Sequence, residues 1–138
     1  MLSELIYVSN RVNIGDSQEI DDILSICQNN NKDKITGTLL YSRTKFIQYL
    51  EGDYQDVKAT FDRIKKDPRH KSVQLVIFSP IKQRVFPGWV MGRKNMEDVS
   101  VTLKSKVSDK EARIFEDLLD GNVNNNHVLS GIIKKFFE

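Results

Sequence analysis

Apolar residues crowd four short stretches of the chain, densely enough for strands buried on both faces. Leu5, Ile6, Tyr7 and Val8 fall together within residues 2–9. Ile35, Leu39, Leu40 and Tyr41 mark residues 35–41, and Phe46, Ile47, Tyr49 and Leu50 mark residues 45–52. Val73, Leu75, Val76, Ile77 and Phe78 mark residues 72–79, which Pro80 ends. Short, nearly continuous apolar runs bounded by turn residues are the pattern of such strands. Residues 86–91 read as a further short strand after a loop. Between these runs the period changes. Ile20, Ile23, Leu24 and Cys27 follow i, i+3, i+4, i+7 behind an Asp16–Glu19 capping pair, and Val57, Phe61 and Ile64 form a second stripe between Gly52-Asp53 and Asp67-Pro68.

The order βαββαββ predicts an α/β (α+β) fold of the ferredoxin-like kind. Ser42-Arg43-Thr44 is a short turn joining two of the strands as an antiparallel hairpin. Gly37 inside a strand points to a bulge or to close approach by another group. The two helices between strands can cover only one face of a sheet that is apolar on both. The tail supplies a cover for the other. Ser108 and Glu111 make a second capping box ahead of Ile114, Phe115, Leu118 and Leu119, with Gly121 as C-cap. After the polar residues 122–126, a last helix carries Val128, Leu129, Ile132, Ile133, Phe136 and Phe137. These two helices are expected to pack on the back of the sheet or against a partner, with Ile132, Ile133, Phe136 and Phe137 serving as core, homo-oligomer contact or partner groove.

One residue breaks the apolar pattern from inside. Strand alternation puts Phe46, Gln48 and Leu50 on one face and Ile47 and Tyr49 on the other. An inward-facing amide needs partners for its oxygen and its two N–H groups. Either a neighbouring backbone or side chain supplies them, or the amide faces a polar heterocycle.

Composition narrows the classes. The 138 residues suit one domain with a core of its own. With 21 Lys and Arg against 19 Asp and Glu, the net charge of +2 argues for neither nucleic acid nor an anionic membrane surface as partner. The single cysteine, Cys27, rules out an internal disulfide framework and suits a reducing cytoplasm. The start of the chain does not read as a signal peptide, and no apolar run approaches the ~20 residues of a spanning helix. His70 and His127 lie far apart without metal-ligand spacing, so no metal is expected. Phosphate loops, dinucleotide fingerprints and nucleophile elbows are missing, and nothing nominates an enzyme.

Five segments in register carry a resemblance. They are Leu5-Ile6-Tyr7-Val8-Ser9; Asn29-Asn30 ahead of Ile35-Thr36-Gly37; Phe46-Ile47-Gln48-Tyr49-Leu50-Glu51-Gly52; Arg63-Ile64-Lys65-Lys66-Asp67-Pro68-Arg69-His70; and Arg84-Val85-Phe86-Pro87-Gly88-Trp89-Val90-Met91. In this order and spacing they resemble the BLUF family of flavin-binding blue-light sensors. The resemblance implies a flavin-binding domain over residues 1–93 and a helical extension over 94–138, packed on the sheet or on a partner. It implies FAD as cofactor, with FMN or riboflavin as alternatives. Tyr7 and Gln48 match the family's photoactive tyrosine and switching glutamine, and Trp89 and Met91 its W-x-M pair. Asn30 matches the asparagine at the flavin's carbonyl edge, with the variable position Asn29 beside it. Ile23 and Ile64 match the residues clamping the ring, and Arg63, Asp67 and His70 match helix positions near the polar tail. Val90 is bulkier than the small residue common between the Trp and Met positions. The implied response is reversible: Tyr7 gives up an electron and then a proton, the Gln48 amide rearranges, and a changed hydrogen bond red-shifts the absorption. The expected partners are the flavin, a homo-oligomer mate and a separate, unidentified effector protein, with neither nucleic acid nor membrane. A small ferredoxin-like hydrolase of acylphosphatase type and a cofactor-free adaptor domain are the competing readings, since fold alone does not fix function.

Overall fold

A computed structural model describes residues 1–11, 35–67, 70–88, 92–95, 108–119 and 129–135. In chain order the elements are β1 (Leu2–Arg11), β2 (Thr36–Tyr41), β3 (Lys45–Asp53), α1 (Tyr54–Lys66), β4 (His70–Pro80), β5 (Gly92–Asn95), α2 (Asp109–Leu119) and α3 (Leu129–Lys135). The stripe of Ile20, Ile23, Leu24 and Cys27 lies outside the described residues.

The sheet has the strand order β4-β1-β3-β2-β5. The first four strands run antiparallel to their neighbours, in the ferredoxin-like arrangement, and β5 adds to the β2 edge in parallel. The hairpin forms as the pattern predicts. Ser42 closes the turn, its N–H donating to the Lys45 carbonyl at 3.0 Å and its hydroxyl accepting the Lys45 N–H at 3.0 Å. Gly37 marks a close approach: at φ 152°, an added Cβ would stand 1.9 Å from the Tyr49 carbonyl oxygen. The β2–β3 pair closes only because that atom is missing.

Two register shifts shape β4. Val76 is an extra residue against β1, so Val76 and Ile77 both join the back of the sheet. Near Ser72, held at φ 54°, a second shift leaves His70 opposite Arg11.

α1 starts at Asp53, whose side chain accepts the Gln55 N–H, and ends at Asp67, whose N–H returns to the Ile64 carbonyl. Its stripe of Val57, Phe61 and Ile64 meets Leu5, Leu39 and Leu50 on the front face of the sheet. The reciprocal capping box of α2 is present: the Ser108 hydroxyl accepts the Glu111 N–H at 3.2 Å, and the Glu111 carboxylate accepts the Ser108 N–H at 3.0 Å. Phe115, Leu118, Ile132 and Ile133 pack with Ile6 and Ile47 on the back. Ile132 and Ile133 are therefore core, and the tail helices cover the face that α1 leaves open. Val128, Phe136 and Phe137 lie outside the described residues.

The last strand differs from the sequence expectation. Its described part is Gly92–Asn95, residues 89–91 lie outside the described residues, and Phe86, Pro87 and Gly88 form bends and a turn. Pro87 has no N–H to give a ladder, Gly88 stands at φ 83°, and the Phe86 N–H is already committed to the Glu51 side chain.

Candidate functional site

Register brings the two central residues together. Tyr7 of β1 lies directly opposite Gln48 of β3, and alternation turns both toward the front face. The Tyr7 O–H donates to Gln48 Oε1 at 2.5 Å, and both residues are 0% exposed. A short hydrogen bond in a dry setting holds the phenol proton in one direction and fixes the amide's orientation.

The surroundings are aromatic and aliphatic. The Tyr7 ring lies 5.7 Å from that of Phe61 and 5.8 Å from that of His70, and Phe46 lies 4.8 Å from His70. His70 is buried, with Nδ1 2.8 Å from the Ser9 hydroxyl. Its N–H reaches back to the Asp67 carbonyl at 3.1 Å, which ties the start of β4 to the end of α1. Ile64 lies in the same apolar cluster as Tyr7. Arg63 is exposed on α1 and donates to the Thr60 hydroxyl at 3.4 Å. Thus Tyr7, Gln48, Ile64 and His70 gather on one face, with Arg63 and Asp67 at its rim. Ile23, Asn29, Asn30, Trp89 and Met91 lie outside the described residues.

This donor set suits a flavin. A phenol can give up an electron and a proton, the amide beside it has both donor and acceptor ends, and the wall around them is apolar. Among the described residues no group of His, Cys, Asp and Glu could hold a metal ion.

A second polar group, which the sequence reading passed over, lies on the back of β3. Glu51 is 0% exposed and accepts hydrogen bonds from Thr36, Tyr49 and the N–H groups of Val85 and Phe86. The Tyr49 hydroxyl lies between two carboxylates, 3.1 Å from Glu51 Oε1 and 3.0 Å from Glu4 Oε2. Burial raises the Glu4 carboxyl above its ordinary value; the Tyr49 hydrogen bond opposes this, and the Glu51 charge adds to it. Burial also pushes the Tyr49 phenol far up, and the two carboxylates push it further, so it stays protonated. The signal was available: Glu51 shares a strand face with Ile47 and Tyr49, where a charge needs a reason.

Comparison with known proteins places the chain. The model of the BLUF family, sensors of blue light using FAD, matches residues 2–92. The chain is 34% identical over 92 residues to photoactivated adenylate cyclase subunit beta of Euglena gracilis, covering 65% of this chain and 11% of that protein. It is 35% identical over 74 residues to the blue light- and temperature-regulated antirepressor BluF of Escherichia coli strain K12, covering 53% of this chain and 18% of that protein. The chain therefore spans a small part of the length of these relatives. In fold it resembles the dark-state structure of the BLUF protein BlrB, with a TM-score of 0.77 and 24% identity over 97% of this chain and 93% of that one.

Proposed function

This chain belongs to the BLUF family, the sensors of blue light using FAD, and on that footing we propose that Tyr7 and Gln48 form a reversible hydrogen-bond switch read by a separate effector protein. The buried 2.5 Å bond between them carries the reading. The hydrolase and adaptor alternatives give way to the family match.

Bound flavin supplies blue-light absorption and an electron acceptor. The chain's own residues do the rest. Tyr7 supplies an electron and its hydroxyl proton, and Gln48 takes that proton's hydrogen bond in the dark and reorients when the proton moves. Asn30 and Asn29 would hold the polar edge of the ring, Ile23 and Ile64 would clamp its faces, and Arg63, Asp67 and His70 would meet the polar tail. Trp89 and Met91 would answer the amide. No net reaction results, so in this reading the chain is a sensor and not an enzyme.

Residues 1–93 sense and residues 94–138 relay. The relay supports itself on the back cluster, where α2 and α3 pack on the same strands that carry Tyr7 and Gln48. The effector is a protein partner, and the chain works as a homo-oligomer in the cytoplasm. No helix among the described residues is long and apolar enough to cross a membrane.

The test is the visible spectrum of the purified protein before and after seconds of blue light. An oxidised-flavin spectrum that shifts red and recovers in darkness is expected. A colourless protein that refuses added flavin would end the proposal.

A further inference from the structure

We propose that Glu51 is a positioning residue of the light response, its buried carboxylate fixing residues 84–86 to the back of the strand that carries Gln48. This rests on the switch reading above. Gln48 and Glu51 are three residues apart on β3, roughly 10 Å along the strand. Alternation sends Gln48 to the front and Glu51 to the back. What disturbs one face of β3 is therefore felt on the other through a single stretch of backbone.

The geometry at Glu51 is specific to a carboxylate. Oε1 accepts the Val85 N–H at 2.7 Å and Oε2 the Phe86 N–H at 2.8 Å. Oε2 takes a second bond from the Thr36 hydroxyl at 2.8 Å, and Oε1 lies 3.1 Å from the Tyr49 hydroxyl, whose single proton is shared with Glu4 Oε2 at 3.0 Å. Arg84 completes the grip, its Nη1 donating to the Thr36 hydroxyl oxygen at 2.8 Å and to the Glu51 carbonyl at 3.1 Å. Three consecutive residues are thus held by the main chain and side chain of one residue of β3. Two adjacent N–H groups require two acceptors, which the two oxygens of a carboxylate provide and an amide does not. A charge buried this far is tolerated because hydrogen bonds replace its water.

The held segment leads somewhere. Phe86 is 4% exposed, and its ring meets Tyr49 edge-on at 5.5 Å. It belongs to the same cluster as Phe115, Leu118, Ile132 and Ile133 of the tail helices. From Gln48 to α2 and α3 the path runs through β3, the Glu51 carboxylate and the Phe86 ring, all of it buried. Beyond Phe86 the chain turns and continues to β5 at the β2 edge. Glu51 therefore sets where this segment rests when the switch is in its dark arrangement.

The experiment compares the full flavin-loaded chain with Glu51→Gln, which keeps the shape and turns an amide N–H2 toward one of the two backbone donors. Three readouts are taken: the size of the red shift, the dark-recovery rate, and amide hydrogen exchange at Val85 and Phe86. The expected variant binds flavin and shifts as far as the parent, because Tyr7 and Gln48 lie on the opposite face. Its two amides exchange at least tenfold faster, and its dark recovery is at least threefold faster. Val76→Ala, which opens the same face at β4 and off the path from Glu51 to the tail helices, keeps the parental recovery. Amides that stay protected, a recovery less than threefold faster, or an equal acceleration in Val76→Ala would each overturn the proposal. A parent that never shifts refutes the switch reading itself, and is recognised before any variant is compared. If Glu51→Gln does not fold, Thr36→Val removes the hydroxyl joining Arg84 to Oε2. Recovery at least twofold faster is expected there, and an unchanged rate overturns the proposal.

Discussion

The Tyr7–Gln48 bond can be weighed by a double-mutant cycle. Tyr7→Phe deletes one oxygen and leaves the ring, so the contacts to Phe61 and His70 at 5.7 and 5.8 Å persist. What is lost is the bond to Gln48 Oε1 at 2.5 Å, with both residues 0% exposed. A neutral hydrogen bond is worth about 0.5–1.5 kcal/mol net, and withdrawing a donor from a buried acceptor costs more, so Tyr7→Phe should lose roughly 1–2 kcal/mol. Gln48→Leu, which withdraws the acceptor from the phenol, should lose a similar amount. Removing both partners together is cheaper than the sum, which gives a coupling energy of about 1 kcal/mol. Urea unfolding followed by circular dichroism measures it, at one flavin concentration with each variant's flavin Kd measured so that the binding contribution is subtracted. With a urea slope of about 2 kcal/mol/M, each single variant moves the midpoint by roughly 0.5–1 M. Both single variants should bind flavin and lose the reversible red shift. A coupling energy below about 0.3 kcal/mol, within the usual additivity error, or a full photocycle in Tyr7→Phe, would refute the reasoning.

Three further outcomes follow from the fold. Gly37→Ala sets a Cβ 1.9 Å from the Tyr49 carbonyl at φ 152°, so it should force β2 and β3 apart and cost about 3 kcal/mol or more; a urea midpoint within error of the parent's would contradict this. Ile133→Ala empties a site that is 1% exposed on the back face and should cost about 2–5 kcal/mol; a loss under about 1 kcal/mol would remove α3 from the core. Glu4 holds its proton more tightly folded than unfolded, so its contribution to stability falls as pH rises from its ordinary 4.5 through the raised folded value and is level above it. Glu4→Gln should flatten that decline in a series of urea midpoints against pH, and an identical slope in the variant would count against it.

The runs of β1, β2 and β3 were legible because burial on both faces leaves a dense apolar signature, whereas the edge strand β4 carries that signature with only His70 and Val76 buried and Leu75 45% exposed; the capping residues Asp53, Ser108 and Glu111 announced their helix starts. Gln48 was legible as an exception within such a run. Its partner was not derivable from spacing: Tyr7 lies 41 residues away, and only the antiparallel register of β1 on β3 sets them face to face. The last strand was misplaced because Phe86, apolar and near the end of a run, reads as strand. What decides otherwise is tertiary, since its N–H belongs to a side chain from 35 residues earlier.

Glu51 shows why a charge is harder to read than an amide. In the sequence it ends the apolar run ahead of Gly52-Asp53, where a carboxylate is ordinary surface chemistry at the mouth of a turn. In the fold, β3 continues to Asp53 and stays buried through Gly52. The register pairs Glu51 with Glu4 on one side and Thr36 on the other, with no solvent on its face. Burial of that charge is affordable only once residues 84–86 have arrived with their N–H groups. The buried strand end and the bend at Phe86 are thus one arrangement, joined by the acceptors Glu51 places on the back of the sheet. If that holds, moving the carboxylate by one methylene in Glu51→Asp should disturb the bend at Phe86 while leaving the Tyr7–Gln48 bond intact.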